Sequence, residues 1–301
     1  MTHVVKVYRA ERFSPNSADR DRAIIDAVGS LLSSRGCTIE GINEDELDAS
    51  HTADIFISMA RTPRALGILR RKEAEGCTVV NRPDGVAACM RSNIDRLMRS
   101  HGLPAAPLSG TCGYWLKRGD EAAQGRDDVV FARNETEKDE ALRRFKARGV
   151  ADVVVTAHVR GDVVKFYGVL DTGFFRTFHA DTNFSKFGDE AVNGAARHYA
   201  FDAERLHGDA ERLAALVGVD VYGGDCIVRE DGTYAIIDFN DWPSFARCRE
   251  EAAGAIATRV EVIFKGKKVK SKRVKRIKTA NANFQGIIGR FNQVERHRGE
   301  T

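Results

Sequence analysis

The chain has 301 residues, of which 43% are hydrophobic and 30% charged, and a formal net charge of +4. These values are typical of a globular protein, and no apolar run approaches bilayer-spanning length or follows a basic start as in an export signal, so we expect a cytoplasmic protein. The six cysteines include no C-x-x-C pair and the eight histidines no H-x-x-x-H pair. This excludes a disulfide framework and a zinc site.

The first eighty residues alternate between predicted strands and helices. Strands are predicted at 3–8, 38–42, 54–58 and 78–81, and helices at 19–34 and 62–75. Such alternation is typical of a parallel sheet with helices on its faces, so we predict an α/β domain over 1–82. No G-x-G-x-x-G follows the first strand, and we therefore predict no dinucleotide site.

The remainder predicts antiparallel hairpins with helices, an α+β arrangement. A helix over 85–101 ends at GLPAAP. Further strands are predicted at 114–117, 128–132, 152–156, 163–170 and 174–180, and helices at 135–148, 204–217 and 249–260. Lys117 ends a strand just before the loop RGDEAAQG, which suits a point charge on a phosphate, although without other context a solvated lysine at a strand end is the favoured interpretation.

The segment Tyr222–Phe245, YGGDCIVREDGTYAIIDFNDWPSF, predicts a hairpin with a two-residue turn at Asp231-Gly232. If Glu230 and Thr233 flank that turn, Asp225 lies opposite Asp238, and Asn240 projects from the same face. Like charges so placed repel each other, and a hard cation such as Mg²⁺ would relieve the repulsion. On spacing alone, a surface hairpin with both aspartates in water is an equal alternative.

The C-terminal end holds most of the positive charge. Val262–Thr301 contains twelve basic and two acidic residues, whereas the rest of the chain has 35 and 41. We treat 261–301 as a basic tail. The run KGKKVKSKRVKRIK favours either weak, salt-sensitive attachment to an anionic partner or, more simply, an accessory segment with no dedicated partner.

Taken in order, these motifs resemble the ATP-grasp superfamily over roughly residues 1–260. The resemblance is strongest to the branch of glutathione synthetase and ribosomal-protein glutamate ligase and to the ATP-grasp inositol-phosphate kinases. The matching pieces are VVNRPDG, GLPAAP, YWLK, VVVTAHVRGDVVKFYGV and the pair GGDCIV and IIDFNDWP. The resemblance implies an α/β N-terminal domain plus an α+β ATP-grasp fold, with subdomains 83–150 and 151–260 around ATP.

The resemblance also implies roles for individual residues. Lys117 matches the lysine that reaches the ATP phosphates, and Asp225, Asp238 and Asn240 match the ligands of Mg²⁺ or Mn²⁺. The hinge whose backbone bonds adenine corresponds to Val155, Thr156, Ala157, His158 and Val159, although its side chains depart from the usual pattern. A second phosphate-binding lysine has no clear equivalent, and Arg91 is either its replacement or a surface charge.

The shared step of the superfamily is phosphoryl transfer from ATP to a small-molecule acceptor. Strand alternation places Lys165 and Tyr167 on one face, and the resemblance favours a catalytic Lys165 that lines the cleft over the alternative of an exposed lysine on an edge strand. Arg176 and Lys186 are further candidates for contact with the acceptor or the γ-phosphate. The acidic body favours a carboxylate ligase acting through an acyl phosphate, a kinase acting on a hydroxyl is close behind, and a non-catalytic ATP-binding module is the third alternative.

Overall fold

The structure, a computed structural model, describes residues 1–14, 17–120, 125–180 and 192–267. By their internal contacts residues 1–259 form one unit and a second begins at Val260, and three sheets belong to the first unit. The strands are β1 (Thr2–Tyr8), β2 (Cys37–Asn43), β3 (Ile55–Ser58), β4 (Thr78–Val80), β5 (Tyr114–Arg118), β6 (Val129–Ala132), β7 (Val153–Ala157), β8 (Asp162–Val169), β9 (Phe174–His179), β10 (Val221–Val228) and β11 (Tyr234–Asp241). The helices are α1 (Ala18–Ser34), α2 (Pro63–Ala74), α3 (Pro83–Ala88), α4 (Arg91–Ser100), α5 (Glu135–Ala147), α6 (Ala203–Val217) and α7 (249–267).

The N-terminal sheet is parallel and has the strand order β2-β1-β3-β4. Its inner strands are short apolar runs, and all four residues of β3 are buried, as expected where helices cover a parallel sheet. This confirms the predicted α/β organisation. The chain moves to one side of β1 to form β2 and then crosses to the other side of β1 to form β3.

The second sheet is antiparallel, with the order β6-β5-β7, and α5 packs on it through Ala141 and Phe145. Strand β7 pairs with β5 along its whole length. Residues 153–157 therefore lie in the sheet of the preceding segment and not in the sheet that follows, although we drew the subdomain boundary before them.

The third sheet has the order β11-β10-β8-β9, and every neighbouring pair in it is antiparallel. The turn between β10 and β11 is longer than predicted, because the amide of Arg229 donates to the carbonyl of Thr233 at 2.8 Å. The loop therefore contains three residues, and its last, Gly232, has a φ of 77°. A left-handed residue at the end of a three-residue hairpin loop is the standard geometry, and glycine adopts it without strain.

A β-bulge in β11 compensates for the extra loop residue. Cys226 pairs with Ile236, but Asp225 pairs with Asp238, so Ile237 has no partner opposite it. The extra loop residue shifts the strand pairing by one residue, and the bulge shifts it back. The predicted pairing of Asp225 with Asp238 is therefore confirmed, although the predicted turn is wrong.

A buried asparagine joins the N-terminal sheet to the third sheet. Asn81 follows β4 and is 1% exposed. Its Oδ1 accepts hydrogen bonds from the amides of Asp220 and Val221 at 2.8 and 2.7 Å, and its Nδ2 donates to the carbonyl of Val221 at 2.7 Å. The side chain thus completes the backbone hydrogen bonds at the start of β10, next to the candidate site.

Two helices differ from prediction. The expected helix over 85–101 is two helices, α3 and α4, separated at Met90, which has an extended backbone. The side-chain amide of Asn93 donates to the carbonyl of Ala88 at 2.7 Å, so α3 ends on a satisfied carbonyl. Helix α7 continues to 267, beyond the predicted end at 260. Within the described residues, no helix has the length and apolar character needed to cross a membrane.

Gly85 in α3 packs directly against the backbone of Gly218, which ends α6. A Cβ atom at position 85 would lie 2.1 Å from the carbonyl oxygen of Gly218. We expect Gly85→Ala to lower the free energy of unfolding by about 2–3 kcal/mol, because backbone and not a flexible side chain must move. Gly67→Ala in α2 is the matched control, since open space surrounds that position. Urea denaturation should show that Gly67→Ala is neutral or slightly stabilising. Equal free energies of unfolding for the two variants would contradict the close packing of Gly85 against Gly218.

Candidate active site

A cleft of about 780 Å³ is lined by residues from both antiparallel sheets and from loops and helices of the N-terminal domain. It brings together most of the side chains that sequence analysis singled out. The predicted site residues that line it are Lys117, Thr156, Ala157, His158, Val159, Lys165, Asp225, Asp238 and Asn240.

Asp225 and Asp238 face this cleft from adjacent strands. The Nδ2 of Asn240 donates to Asp238 Oδ2 at 3.0 Å, and Lys165 Nζ donates to Asp225 Oδ1 at 3.3 Å. The two carboxylate side chains are 28% and 21% exposed. The alternative of a surface hairpin with both aspartates in bulk water is therefore wrong.

The electrostatic surroundings keep Asp238 ionised. Burial acts to raise the pKa of this carboxyl, but the charges of Arg91, Lys117 and Lys165 and the hydrogen bond from Asn240 outweigh it and lower the pKa below its ordinary value. A carboxylate with a low pKa retains its negative charge at neutral pH. It can therefore attract a cation without first losing a proton.

The bulge at Ile237 positions Lys117. Lys117 Nζ donates to the carbonyl of Ile237 at 2.9 Å, across from its own strand β5 to β11. Ile237, which has no partner opposite it in β10, thus supplies an acceptor for the ammonium group of Lys117. This contact places the lysine charge one residue from Asp238.

Lys165 and Tyr167 both line the cleft, as strand alternation predicts, while Phe166 between them is fully buried. Burial, followed by the charge of Asp225, raises the pKa of Tyr167 to about 12. The phenol is therefore a neutral hydrogen-bonding group. Lys165 is the cationic member of this pair and lies opposite Asp225 in the register.

Arg91 is the first residue of α4 and also lines the cleft. Its Nε lies 3.6 Å from Asp238 Oδ1, and its Nη1 donates to the carbonyl of Arg118 at 3.3 Å. The side chain is 19% exposed. Of the two interpretations of Arg91, a surface charge is therefore wrong.

The predicted hinge runs from β7 past Val159, and two of its backbone amides donate hydrogen bonds to carbonyls of the protein itself. The amide of Ala157 donates to the carbonyl of Pro107 at 2.7 Å, and that of His158 donates to the carbonyl of Gly113 at 2.8 Å. Trp115 Nε1 donates to His158 Nδ1 at 3.1 Å, which fixes the ring orientation. Burial, with a smaller effect from Arg160, lowers the pKa of His158, so the ring accepts this hydrogen bond in its neutral form.

The donor set fits a hard divalent cation. Asp225, Asp238 and Asn240 offer carboxylate and amide oxygens, which Mg²⁺ and Mn²⁺ prefer. Within the described residues, no three His, Cys, Asp or Glu side chains gather into a metal cluster. A cation here would have two protein carboxylates and would need phosphate oxygens and water to complete its shell, which is the usual way that Mg²⁺ binds with a nucleotide.

Two predicted site residues are not brought to this group, and a third lies outside the described residues. Val155 packs into the core of the second sheet and does not line the cleft. Arg176 is also absent from the lining, and its Nε donates to Glu251 at 2.9 Å on the exposed side of β9. Sequence alternation did not reveal this acidic partner. Lys186 lies outside the described residues.

Sequence analysis missed a cluster of charged residues at the other end of the cleft. Arg9 and Arg61 both bind the buried carboxylate of Asp241, and all three line the cleft. A signal was available, because Arg9 directly follows β1 and Arg61 follows β3. Ligand sites of open parallel sheets lie at the carboxyl ends of the strands.

No protein-family model matches the chain, and no curated protein matches its sequence. Among solved structures, the D-alanine-D-alanine ligase from Coxiella burnetii aligns with a TM-score of 0.65 and 12% identity, over 93% of this chain and all of the ligase. The D-alanine-D-alanine ligase from Bacillus anthracis, complexed with ATP, gives 0.62 and 10%, over 91% of this chain and 100% of its own. The ATP-grasp ligase PsnB, complexed with its minimal precursor, gives 0.61 and 18%, over 87% and 99%.

These three alignments cover 87% to 93% of this chain. At such low identity a structural likeness establishes the fold and leaves the reaction open. The α/β N-terminal domain followed by α+β subdomains, which the motifs led us to expect, is confirmed. This chain has the ATP-grasp fold.

Proposed function

We propose that the chain is a Mg²⁺- and ATP-dependent ligase that joins a carboxylate to an amine or a thiol. The observation that carries the proposal is the convergence of Lys117, Asp225 and Asp238, from two sheets, on one cleft. The solved neighbours support it, since those named above are ATP-grasp ligases, one was solved with ATP, and PsnB was also solved with Mg and ADP.

The cleft offers a separate surface for each part of the nucleotide. An apolar part of the lining suits adenine and consists of Val159, Val163 and Ile227, which belong to a buried cluster with Ala106 and Ala235 behind them. Because Ala157 and His158 use their amides within the protein, the hinge would bond the base through its other backbone groups, with Val159 next in line. Lys117 and Arg91 would neutralise the phosphates. Arg91 would replace a second lysine, and its planar guanidinium group would donate several hydrogen bonds to phosphate oxygens.

The chain's own residues would hold Mg²⁺ through Asp225, Asp238 and Asn240, and the bound ion would neutralise charge that develops on the phosphates. A carboxylate oxygen of the acceptor attacks the γ-phosphorus, the bond from that phosphorus to the bridging oxygen breaks, and ADP leaves. An amine or thiol then attacks the acyl carbon, loses its proton and displaces phosphate. Lys165, beside Asp225, would orient the acceptor and stabilise the negative oxygens in the first step.

A kinase acting on a hydroxyl is the second candidate. The favouring observation is that Lys165 and Arg247 line the cleft together, and that Arg9, Arg20 and Arg61 line it as well. This local gathering of positive side chains weakens the objection that the body of the chain is acidic. A phosphorylated sugar alcohol would suit such a surface.

Product analysis separates these functions. The full-length protein is incubated with ATP, Mg²⁺ and panels of carboxylates, amines and inositol phosphates, and ADP release is scored. Hydroxamate formation when hydroxylamine replaces the amine supports the ligase, because hydroxylamine traps an acyl phosphate. A phosphorylated alcohol formed without any amine supports the kinase. Tight ATP binding with no turnover on any panel would leave a binding module and contradict both enzymatic functions.

Lys117→Met tests the nucleotide end of the cleft. We expect it to weaken binding of Mg·ATP by about 10- to 100-fold, since a charge-assisted contact to phosphate contributes roughly 1.5–3 kcal/mol. Lys146→Met is the matched control, because Lys146 is exposed on α5 and does not line the cleft. Calorimetric titration measures both variants. Wild-type affinity in Lys117→Met would remove Lys117 from the site.

A further inference from the structure

The arginines at the far end of the cleft occupy a distinctive place in the fold. Strand β1 lies between β2 and β3, so the chain leaves β1 in opposite directions on its two sides. In open parallel sheets, such a reversal opens a crevice at the carboxyl ends of the strands, and ligands bind there. Arg9 follows β1, Arg61 follows β3, and both line the cleft.

These two arginines are held rigidly. Arg61 Nη2 donates to Asp241 Oδ1 at 2.6 Å, and Arg9 Nη2 lies 3.4 Å from Asp241 Oδ2 and donates to the carbonyl of Trp242 at 3.2 Å. Arg9 also donates to Asp21 Oδ2 through Nη1 at 3.0 Å. Their side chains are 7% and 16% exposed. The ends of β1, β3 and β11 are therefore fixed against one another by charge-assisted hydrogen bonds.

Donors remain in excess at this end of the cleft. Arg61 Nε and Trp242 Nε1 are buried and have no acceptor among the described residues, and both side chains line the cleft. Buried donors without acceptors are uncommon and costly, and they point to an acceptor that is not part of the protein. Two donors on neighbouring residues, one of them cationic, suit an anionic group.

Several arginines surround these two donors. The cleft-lining arginines that the N-terminal sheet and its helices contribute are Arg9, Arg20, Arg61 and Arg70, against the cleft-lining acids Asp21 and Asp241. Glu44 lies behind this wall, fully buried, and its oxygens accept hydrogen bonds from the amides of Ala10, Arg61 and Thr62. These amides use the acceptor capacity of Glu44, and Arg70 pairs with Asp84, so neither carboxylate accepts from Arg61 Nε or Trp242 Nε1.

We infer that the crevice at the ends of β1 and β3 is a subsite for an anionic group of the acceptor, a carboxylate or a phosphate distinct from the group that receives the phosphoryl. This subsite rests on the proposed function only in naming its ligand as the acceptor. Arg61 supplies directed donors, and Arg20 at the start of α1 supplies a second charge at the rim. An acceptor with a single reacting group and no further negative charge would leave these donors unused.

The test is a calorimetric titration of the full chain with two probes, malonate and inorganic phosphate. The nucleotide end is first saturated with Mg²⁺ and the β,γ-imido analogue of ATP, which is not hydrolysed, so that phosphate cannot bind in the γ-position. We expect one equivalent of either anion to bind. Arg20→Gln and Arg61→Lys should each weaken that binding by at least about tenfold, the loss expected for one charge-assisted contact.

The variants are chosen to fold, and the control lies outside the cleft, so a loss of anion binding can be assigned to the subsite. Arg20 is exposed, so Arg20→Gln is expected to fold, and Arg61→Lys keeps the charge beside Asp241 while it removes the Nε donor. Arg12→Gln is the control, because Arg12 is exposed, pairs with Asp45 and does not line the cleft. Tighter binding of malonate assigns a carboxylate to the subsite, and tighter binding of phosphate assigns a phosphorylated acceptor.

Absence of binding for both anions, or unchanged binding in both variants, overturns the subsite. Failure of the nucleotide analogue to bind in the first titration counts against the proposed function instead. In that event the anions are titrated without nucleotide, and the same two variants judge the subsite alone.

Discussion

Asp238→Asn is expected to lower Mg²⁺-dependent ATP turnover by about 10²- to 10³-fold, the range found when one electrostatic partner of a transferring group is removed. The substitution preserves size and hydrogen bonding but removes one of the two carboxylates that lie opposite each other in the hairpin. The fold should survive. Loss of attraction to Arg91 and Lys117 is offset by relief of the repulsion from Asp225 opposite.

Asp231→Asn in the same hairpin is the control for Asp238→Asn. Asp231 lies in the loop, where its Oδ1 accepts from the amide and hydroxyl of Thr233, and it does not line the cleft. ADP release and urea denaturation are measured on both variants. Wild-type turnover in Asp238→Asn, or equal losses in the two variants, would end the assignment of Asp238 to the site.

Asn81→Ala is expected to lower the free energy of unfolding by about 3–5 kcal/mol. The change leaves the buried amides of Asp220 and Val221 without acceptors, each at a cost of roughly 1–3 kcal/mol, and it removes one of the two hydrogen bonds to the carbonyl of Val221, which keeps the bond from the amide of Trp242. Few single side chains in the described part of the chain satisfy three buried backbone groups. The loss should therefore exceed that of an ordinary surface change.

Asn134→Ala provides a scale for the Asn81 result. Asn134 caps α5 and accepts from the amide of Glu137 at 3.0 Å in an exposed position, so its removal should cost only about 1 kcal/mol. Urea denaturation of both variants makes the comparison. If Asn81→Ala loses no more than Asn134→Ala, the side chain is not the link between the two sheets that its hydrogen bonds indicate.

The hairpin shows how far sequence reasoning reached and where it failed. Turn propensity correctly located the reversal near Gly232, but it cannot distinguish a two-residue from a three-residue loop when Asp-Gly ends either one. The bulge at Ile237 depends on pairing with neighbouring strands and on Lys117 from another sheet, which no local pattern reveals. The correct pairing of the two aspartates therefore resulted from two offsets that cancel.

The spacing of apolar residues along the sequence predicted most of the other strands and helices. The parallel sheet followed from apolar runs that alternate with amphipathic helices, and Lys165 faces the cleft because side chains alternate along a strand. The division between α3 and α4 was not predictable, since a side-chain contact from Asn93 ends the first helix where no proline or glycine marks a stop. Arg176 was misplaced because its partner, Glu251, lies 75 residues away.

The charged cluster around Asp241 was missed for a related reason. Arg9, Arg61 and Asp241 come from three distant parts of the sequence and meet only when the N-terminal sheet packs beside β11. The net charge of the body, which favoured a carboxylate ligase over a kinase, averages over the whole chain and hides such local gathering. Sequence position at the end of β1 and β3 was the usable signal.

The most direct test of the central claim is a calorimetric titration of the full chain with ATP, with Mg²⁺ present and with Mg²⁺ removed by a chelator, compared with the Asp225→Asn, Asp238→Asn double variant. If the two aspartates hold a metal–nucleotide complex, the wild type binds one equivalent of ATP at least about tenfold more tightly with Mg²⁺. The double variant then shows no dependence on Mg²⁺. Equal affinity with and without the metal in the wild type, or no ATP binding at all, would contradict the account.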